Sequence, residues 1–255
     1  MKRRRSATAH LAGSAAMLLI VGWPDRAAAY RPFDGTDASV ADPGAFEIEL
    51  GPAGLLREGS QRTLIAPAVV LNLGVAEGWE AVLQGRAETP LSPAPARTSL
   101  VGNGAFLKGV LRQGVLQEKP GPSVATELGL LLPGINDEPG IGGSAAAILS
   151  YRFADVTAHL NVQGAVTRQQ HGDGFLSTIV EGPSDWRVRP VGEIAYEREG
   201  GRFETLSGLI GAIWPISDRL AFDVGLREGR ISDRSLTEIR VGLTVGFSLW
   251  GKAEH

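Results

Sequence analysis

"TEIRVGLTVGFSLW", residues Thr237 to Trp250, alternates at every step. Ile239, Val241, Leu243, Val245, Phe247 and Leu249 hold one phase, and Arg240, Gly242, Thr244, Gly246 and Ser248 hold the other. Successive side chains of a strand point to opposite faces, so the stretch reads as a strand with one apolar face and one small or polar face. Two architectures present such a strand. In a soluble sandwich the apolar face meets a core, whereas in a membrane barrel it meets lipid.

The same period recurs upstream. "DVTAHLNVQGAVTR" sets Val156, Ala158, Leu160, Val162, Gly164 and Val166 against Thr157, His159, Asn161, Gln163 and Thr167. "DRLAFDVGLREG" sets Leu220, Phe222, Val224 and Leu226 against Arg219, Asp223 and Arg227, and "SDWRVRPVGEIAYERE" sets Trp186, Val188, Ile194 and Tyr196 against Arg187, Arg189, Glu193 and Glu197. No helical stripe competes in these windows. Runs between breakers begin near Phe46, Thr63, Trp79, Leu100, Val124, Ser144, Val156, Gly174, Trp186, Phe203, Leu220 and Thr237. The count of about 12 is even, as expected of a closed outer-membrane barrel whose two ends share one side.

The first residues read as an export signal. "MKRRR" is a positive start, "AHLAGSAAMLLIVGW" is an apolar run shorter than the roughly 20 residues of a spanning helix, and "AAAY" offers small residues for cleavage before Tyr30. The expected organisation is a signal peptide at 1–29, a periplasmic N-terminal segment at 30–45, a transmembrane antiparallel β-barrel at 46–250 and a tail at 251–255. No second long apolar run follows, so any membrane crossing must be made by strands.

Composition agrees. Gly is 34 of 255 residues, nearly twice the usual share of about 7%, and it falls in both phases, as tightly curved barrels tolerate. Cys is absent, which excludes disulfides and thiolate sites. A net charge of -3 with no basic stripe excludes a nucleic-acid surface. Connections sort into short ones, "AEG", "FAD", "GPSD" and "ISD", alternating with longer ones, "ETPLSPAPARTS", "PGINDEPGIGG", "TRQQHGDG" and "REGRISDRS". Short turns on the periplasmic side and longer loops outside are the barrel pattern, although "QEKPGPS" and "REGG" break it. Aromatics fall at strand ends, and Trp79, Tyr151, Phe153, Trp186, Tyr196, Trp214 and Trp250 are expected to anchor two interfacial girdles. Signal, parity, connections and girdle together favour the membrane barrel over the sandwich.

Beyond the cleavage site, "RPFDGTDASVADPGAFEIELG" resembles the opening of an outer-membrane transporter family associated with the phenol meta-cleavage pathway. Arg31, Pro32, Phe33, Thr36, Asp37, Pro43, Gly44, Phe46 and Glu47 carry the resemblance. "GEIAYE", around Glu193, and "ISDRLAFDVGLREG" extend it over most of the mature chain. It implies a pore or carrier for small, aromatic or hydrophobic compounds. One departure is that Trp250 is followed by "GKAEH", whereas many such barrels end on the aromatic residue read by the barrel-assembly machinery.

If the apolar phase meets lipid, the other phase fills the lumen. Its charged members, expected to line the transport path, are Glu47, Glu80, Arg86, Lys108, Arg112, Glu127, Arg152, His159, Arg187, Arg189, Glu193, Asp223, Arg227 and Arg240. Such groups must pair, hydrogen-bond or stay hydrated, and they read equally as a wall-propping network or as a path for solutes. No lipid-facing serine–histidine pair and no G-x-S-x-G elbow is present, so no enzyme activity is expected. "INDEPGIGG" and "HGDG" lack the ligand spacing of a calcium loop, and no metal or cofactor is expected. The expected function is an outer-membrane channel for passive uptake of small molecules, working as a monomer in outer-membrane lipid. The alternative is a closed-lumen barrel with a structural or binding role.

Overall fold

Alternation becomes twelve antiparallel strands that close on themselves. The computed structural model describes residues 32–94, 96–201 and 203–250. The expected signal peptide at 1–29, Tyr30, Arg31 and the tail at 251–255 lie outside the described residues. In chain order the strands are β1 (Ala45–Glu58), β2 (Gln61–Ala76), β3 (Trp79–Ser92), β4 (Ser99–Arg112), β5 (Ser123–Leu131), β6 (Gly142–Phe153), β7 (Val156–Val166), β8 (Gly172–Glu181), β9 (Arg189–Glu199), β10 (Phe203–Ser217), β11 (Leu220–Ile231) and β12 (Arg234–Ser248). Each pairs with its chain neighbours, and β12 closes the ring against β1 with Ala45 opposite Ser248, Glu49 opposite Thr244 and Gly54 opposite Arg240.

The two phases separate as the pattern requires. Ile210, Ile194, Leu206 and Leu128 point outward and are 70%, 67%, 58% and 54% exposed, while Glu80, Lys108, Asn161, Asp223 and Thr244 point inward and are buried. A water-soluble barrel would hold the opposite arrangement. A continuous apolar outer wall with every ladder bond closed is the condition for crossing lipid, because no backbone group is left to water.

The phase is not constant along every strand. β1 and β2 step together, from Gly51 opposite Ala68 to Gly54 opposite Ile65. β4 steps from Gly104, opposite Gln84, to Val101, opposite Arg86. At such bulges the inward set advances by three residues instead of two, so Glu49 and Gly54 both face the lumen. A further irregularity places Arg112 opposite Val124, out of phase with inward Ala125.

Two expectations about the rims are corrected. The outward aromatics form one girdle, at the end where β1 begins and β12 finishes. Phe46, Trp79, Tyr151, Phe153, Trp214, Phe222 and Phe247 all sit in the strand ends at this terminal rim, with Trp186 and Trp250 just beyond, and Tyr196 alone lies toward the far rim. Connection length does not sort the two ends either. Gly59–Ser60 and Ser232–Asp233 at the far rim are two-residue turns, because most of "REGRISDRS" pairs as β11 and β12. At the terminal rim, 113–122 with its single 3-10 turn (Val115–Gln117) and 182–188 are long.

Ile210, mid-strand on β10, tests the lipid-facing assignment. Ile210→Arg is expected to cost about 2–4 kcal/mol in equilibrium unfolding from lipid vesicles, the cost of a charge at the bilayer midplane. An exposed arginine on a water-facing wall would change stability by less than about 0.5 kcal/mol.

Candidate functional site

The segment expected in the periplasm at 30–45 lies inside the barrel over its described residues up to Asp42. It has the composition of a turn-rich coil, with Pro32, Gly35, Pro43 and Gly44 and no period, so its backbone amides are free to bond side chains. Lumen acceptors take them in sequence. Asp34 and Gly35 donate their N–H groups to the two carboxylate oxygens of Glu193 at 2.7 and 2.8 Å. Thr36 donates to Asn161 Oδ1 at 3.0 Å, Ala38 to Ser150 Oγ at 2.9 Å and Ala41 to Glu80 Oε2 at 2.6 Å. The chain then passes over inward Gly74, where an added Cβ would sit 2.0 Å from the Asp42 carbonyl oxygen. Gly44, at φ 83°, completes a turn in which Ala45 N–H donates to Asp42 C=O at 2.8 Å, and β1 begins.

Side chains complete the attachment. Arg240 donates to the Pro32 carbonyl oxygen through Nη1 at 2.7 Å, while its Nη2 lies 2.7 Å from both Asp34 Oδ1 and Glu238 Oε2. Arg227 Nε is 3.3 Å from Asp34 Oδ2. Burial works against charge on Asp34, but Arg240 and Arg227 outweigh it and hold its carboxyl below the usual carboxylate range. Lys108 donates to Thr36 Oγ1 at 3.1 Å and lies 3.7 Å from Asp37. Two small apolar contacts add to this polar frame: Phe33 against Val191, Ile213 and Ala221, and Ala38 against Ala125, Ile148 and Leu116.

Twelve of the fourteen expected lumen residues lie in the inward phase, and the structure divides them by partner. Glu80, Lys108, Glu193, Arg227 and Arg240 hold the inserted segment. Glu127 stands opposite Lys108 on β5. Glu47 and Asp223 are buried in the inner wall, and Arg86 lies half-exposed with its Nε 2.7 Å from Glu88. His159 and Arg189 meet at Glu181, at 3.4 and 3.0 Å. Arg152 sits at the terminal rim, 3.3 Å from Thr157 Oγ1. Arg112 and Arg187 are corrections. The irregularity in β4 turns Arg112 out of the inward set, and its guanidinium donates to the Pro122 carbonyl oxygen. Arg187 precedes β9 in the 182–188 connection, and its guanidinium lies 5.8 Å from the Trp214 ring on the outside.

The pattern of alternation did not mark Ser150 and Glu181 as partners of His159. Ser150 Oγ is 2.7 Å from His159 Nδ1, so serine, histidine and glutamate fall in line. Ser150 is fully buried and its oxygen receives the Ala38 amide, which makes the line an anchor for the inserted segment.

Beside the segment the lumen holds a cavity of about 480 Å³, lined in part by Phe33, Asp34, Gly35 and Thr36. Its wall mixes carboxylates and bases with the amides of Gln84, Asn161 and Gln163 and the rings of Phe106 and Phe175. A smaller cavity of about 200 Å³ adjoins it beside Gly51, Gly54 and Arg240.

No family model matches the chain, and no curated protein matches it. Solved structures do. The chain is similar to an outer membrane channel from Pseudomonas putida F1, with a TM-score of 0.65 over 84% of this chain and 100% of that one at 7% identity. It is similar to the NanC porin, at 0.57 over 78% and 98% with 7% identity, and to the KdgM porin, at 0.53 over 79% and 99% with 11% identity. At such identities the shared property is the fold, the closed antiparallel barrel described above.

Proposed function

We propose that the protein is an outer-membrane channel for passive uptake of small molecules, closed toward the periplasm by its own N-terminal segment. The cavity beside that segment carries the reading. It is a polar, charge-lined chamber of about 480 Å³ inside a barrel whose outer wall is apolar, and it is large enough for a small solute. In barrels of this kind both chain ends lie on the periplasmic side, so the end of the chamber at Asp173 and Glu197 faces outward. The names of similar structures support passage of solutes: two are porins and one is an outer membrane channel. The likeness of residues 31–47 to transporters of the phenol meta-cleavage pathway adds aromatic or hydrophobic compounds as the solute class.

The inserted segment is attached mainly by hydrogen bonds and ion pairs, which water can replace when it moves. Individually such bonds contribute about 0.5–3 kcal/mol, so the closed arrangement is strong in sum but exchangeable contact by contact. The alternative, a closed barrel with a structural or binding role, draws on the packing of Phe33 and Ala38 against the inner wall.

Planar-bilayer recording on refolded mature protein separates the two. Removal of residues 32–41 is expected to raise single-channel conductance several-fold, with solute-dependent swelling of liposomes. Silence from both the full chain and the shortened one would leave the closed-barrel reading in place.

Glu193→Ala isolates the main anchor. It removes the acceptor of two consecutive backbone amides, so hydrogen exchange at Asp34 and Gly35 is expected to rise about 10- to 100-fold. Unchanged exchange at those two amides would mean that Glu193 does not hold the segment.

A further inference from the structure

We propose that the chamber binds small organic cations, with the ammonium group among its carboxylates and against the face of the Phe106 ring. Charge is the first observation. The lining carries the carboxylates of Asp34, Glu49, Glu80, Glu127, Asp173 and Glu197 against the bases Arg86, Lys108 and Arg227. Each base is also engaged with an acid. Arg86 holds Glu88 at 2.7 Å, Lys108 stands 3.7 Å from Asp37, and Arg227 reaches Asp34 at 3.3 Å and Glu238 at 3.6 Å. Behind the lining, Glu88, Asp37 and Glu238 stand with Arg240, which pairs with Asp34 and Glu238, and acids still outnumber bases, so the chamber favours a cation over an anion.

Incomplete bonding is the second observation. Glu80 is 1% exposed and its Oε2 accepts the Ala41 amide, but its Oε1 has no hydrogen-bond partner among the described residues. Asp173 Oδ1 is in the same position. Both oxygens are shut off from the chamber, so each carboxylate carries its charge short of one donor, and a cation lodged beside the carboxylate offsets part of that cost electrostatically.

The third observation concerns size. Among the described residues no group of three or more acids or histidines is close enough to hold a metal ion. The carboxylates are instead spread around a chamber of about 480 Å³, the scale of a small organic molecule. Phe106 lies flush against the wall. An added Cβ would sit 2.4 Å from its ring at Gly104 and 2.1 Å at Gly129, so these two glycines form the notch that receives it. An aromatic face attracts a cation, and most strongly where water is scarce. Phe175 stands directly opposite Glu197 across the β8–β9 ladder, placing a second ring beside a carboxylate.

The proposal rests on the channel reading for the route by which a solute reaches the chamber. Binding is measurable without transport. Calorimetric titration of the refolded full chain with benzyltrimethylammonium, and with benzyl alcohol and benzoate as neutral and anionic counterparts, tests it directly. The cation is expected to bind and benzoate not to bind. Affinity for the cation is expected to fall about tenfold or more in the isosteric Asp173→Asn/Glu197→Gln double variant and in Phe106→Leu. A flat titration, equal binding of the three probes, or unchanged affinity in the Asn/Gln variant would overturn the proposal. Should Phe106→Leu fail to fold, the Asn/Gln variant still decides. Binding of the cation to a protein that never conducts would uphold the site and remove the channel; conduction with no preference for the cation would do the reverse.

Discussion

A carboxylate buried inside a barrel must find donors, and Glu193 finds two consecutive backbone amides. Much of the interior follows from that requirement. Once the amides of Asp34 and Gly35 are fixed, the Asp34 side chain is delivered to Arg240 and Arg227, and Arg240 has a second hydrogen available for the Pro32 carbonyl. Asn161, Ser150 and Glu80 then receive the amides that follow. Turning the apolar phase outward to lipid forces polar groups inward, and a short length of the same chain satisfies many of them.

The outer half of this logic was legible in sequence, and the inner half was not. Strict alternation in β7, β11 and β12 placed His159, Asp223, Arg227 and Arg240 inward correctly, because a strand has only two faces. Arg112 was misplaced where the pairing register shifts, since one extra residue inverts the phase and leaves no mark in composition. Arg187 was misplaced because its alternation with Trp186 and Val188 continues past the point where ladder pairing stops. The inserted segment escaped for a different reason. Residues 32–44 have no period, and a coil bonded through its backbone looks the same in sequence whether it lies in water or in a lumen. The available signal is indirect: an inward glutamate such as Glu80, whose nearest basic residue in sequence is Arg86, six positions on.

Loop lengths misled for a related reason. Near the far rim the strands of β1–β2 and β11–β12 continue through charged residues to tight turns, and Arg234 reaches across to Glu58 at 3.7 Å. A strand that rises out of lipid no longer needs an apolar face, so alternation fades while pairing persists. Polarity there marks only the change of solvent and not the start of a loop. At the terminal rim the outward aromatics mark that change directly, with Trp214 meeting the Arg187 guanidinium at 5.8 Å.

In the proposed channel, the inserted segment both closes the lumen and shapes the chamber beside it. Because its bonds to the wall are made chiefly by backbone N–H groups, the segment satisfies the wall without adding bases to the chamber. Arg227 and Lys108 are drawn down to Asp34 and Asp37 on the segment, which lessens their influence on the carboxylates above. Withdrawal of the segment would remove Asp34 from Arg227 and Asp37 from Lys108, and with them the part of the lining formed by Phe33 and Thr36. In the proposed channel, closure and charge preference are linked through the same two ion pairs. A ligand that binds the chamber more tightly with the segment in place would favour the inserted state, because a ligand shifts an equilibrium only through its different affinity for the two states.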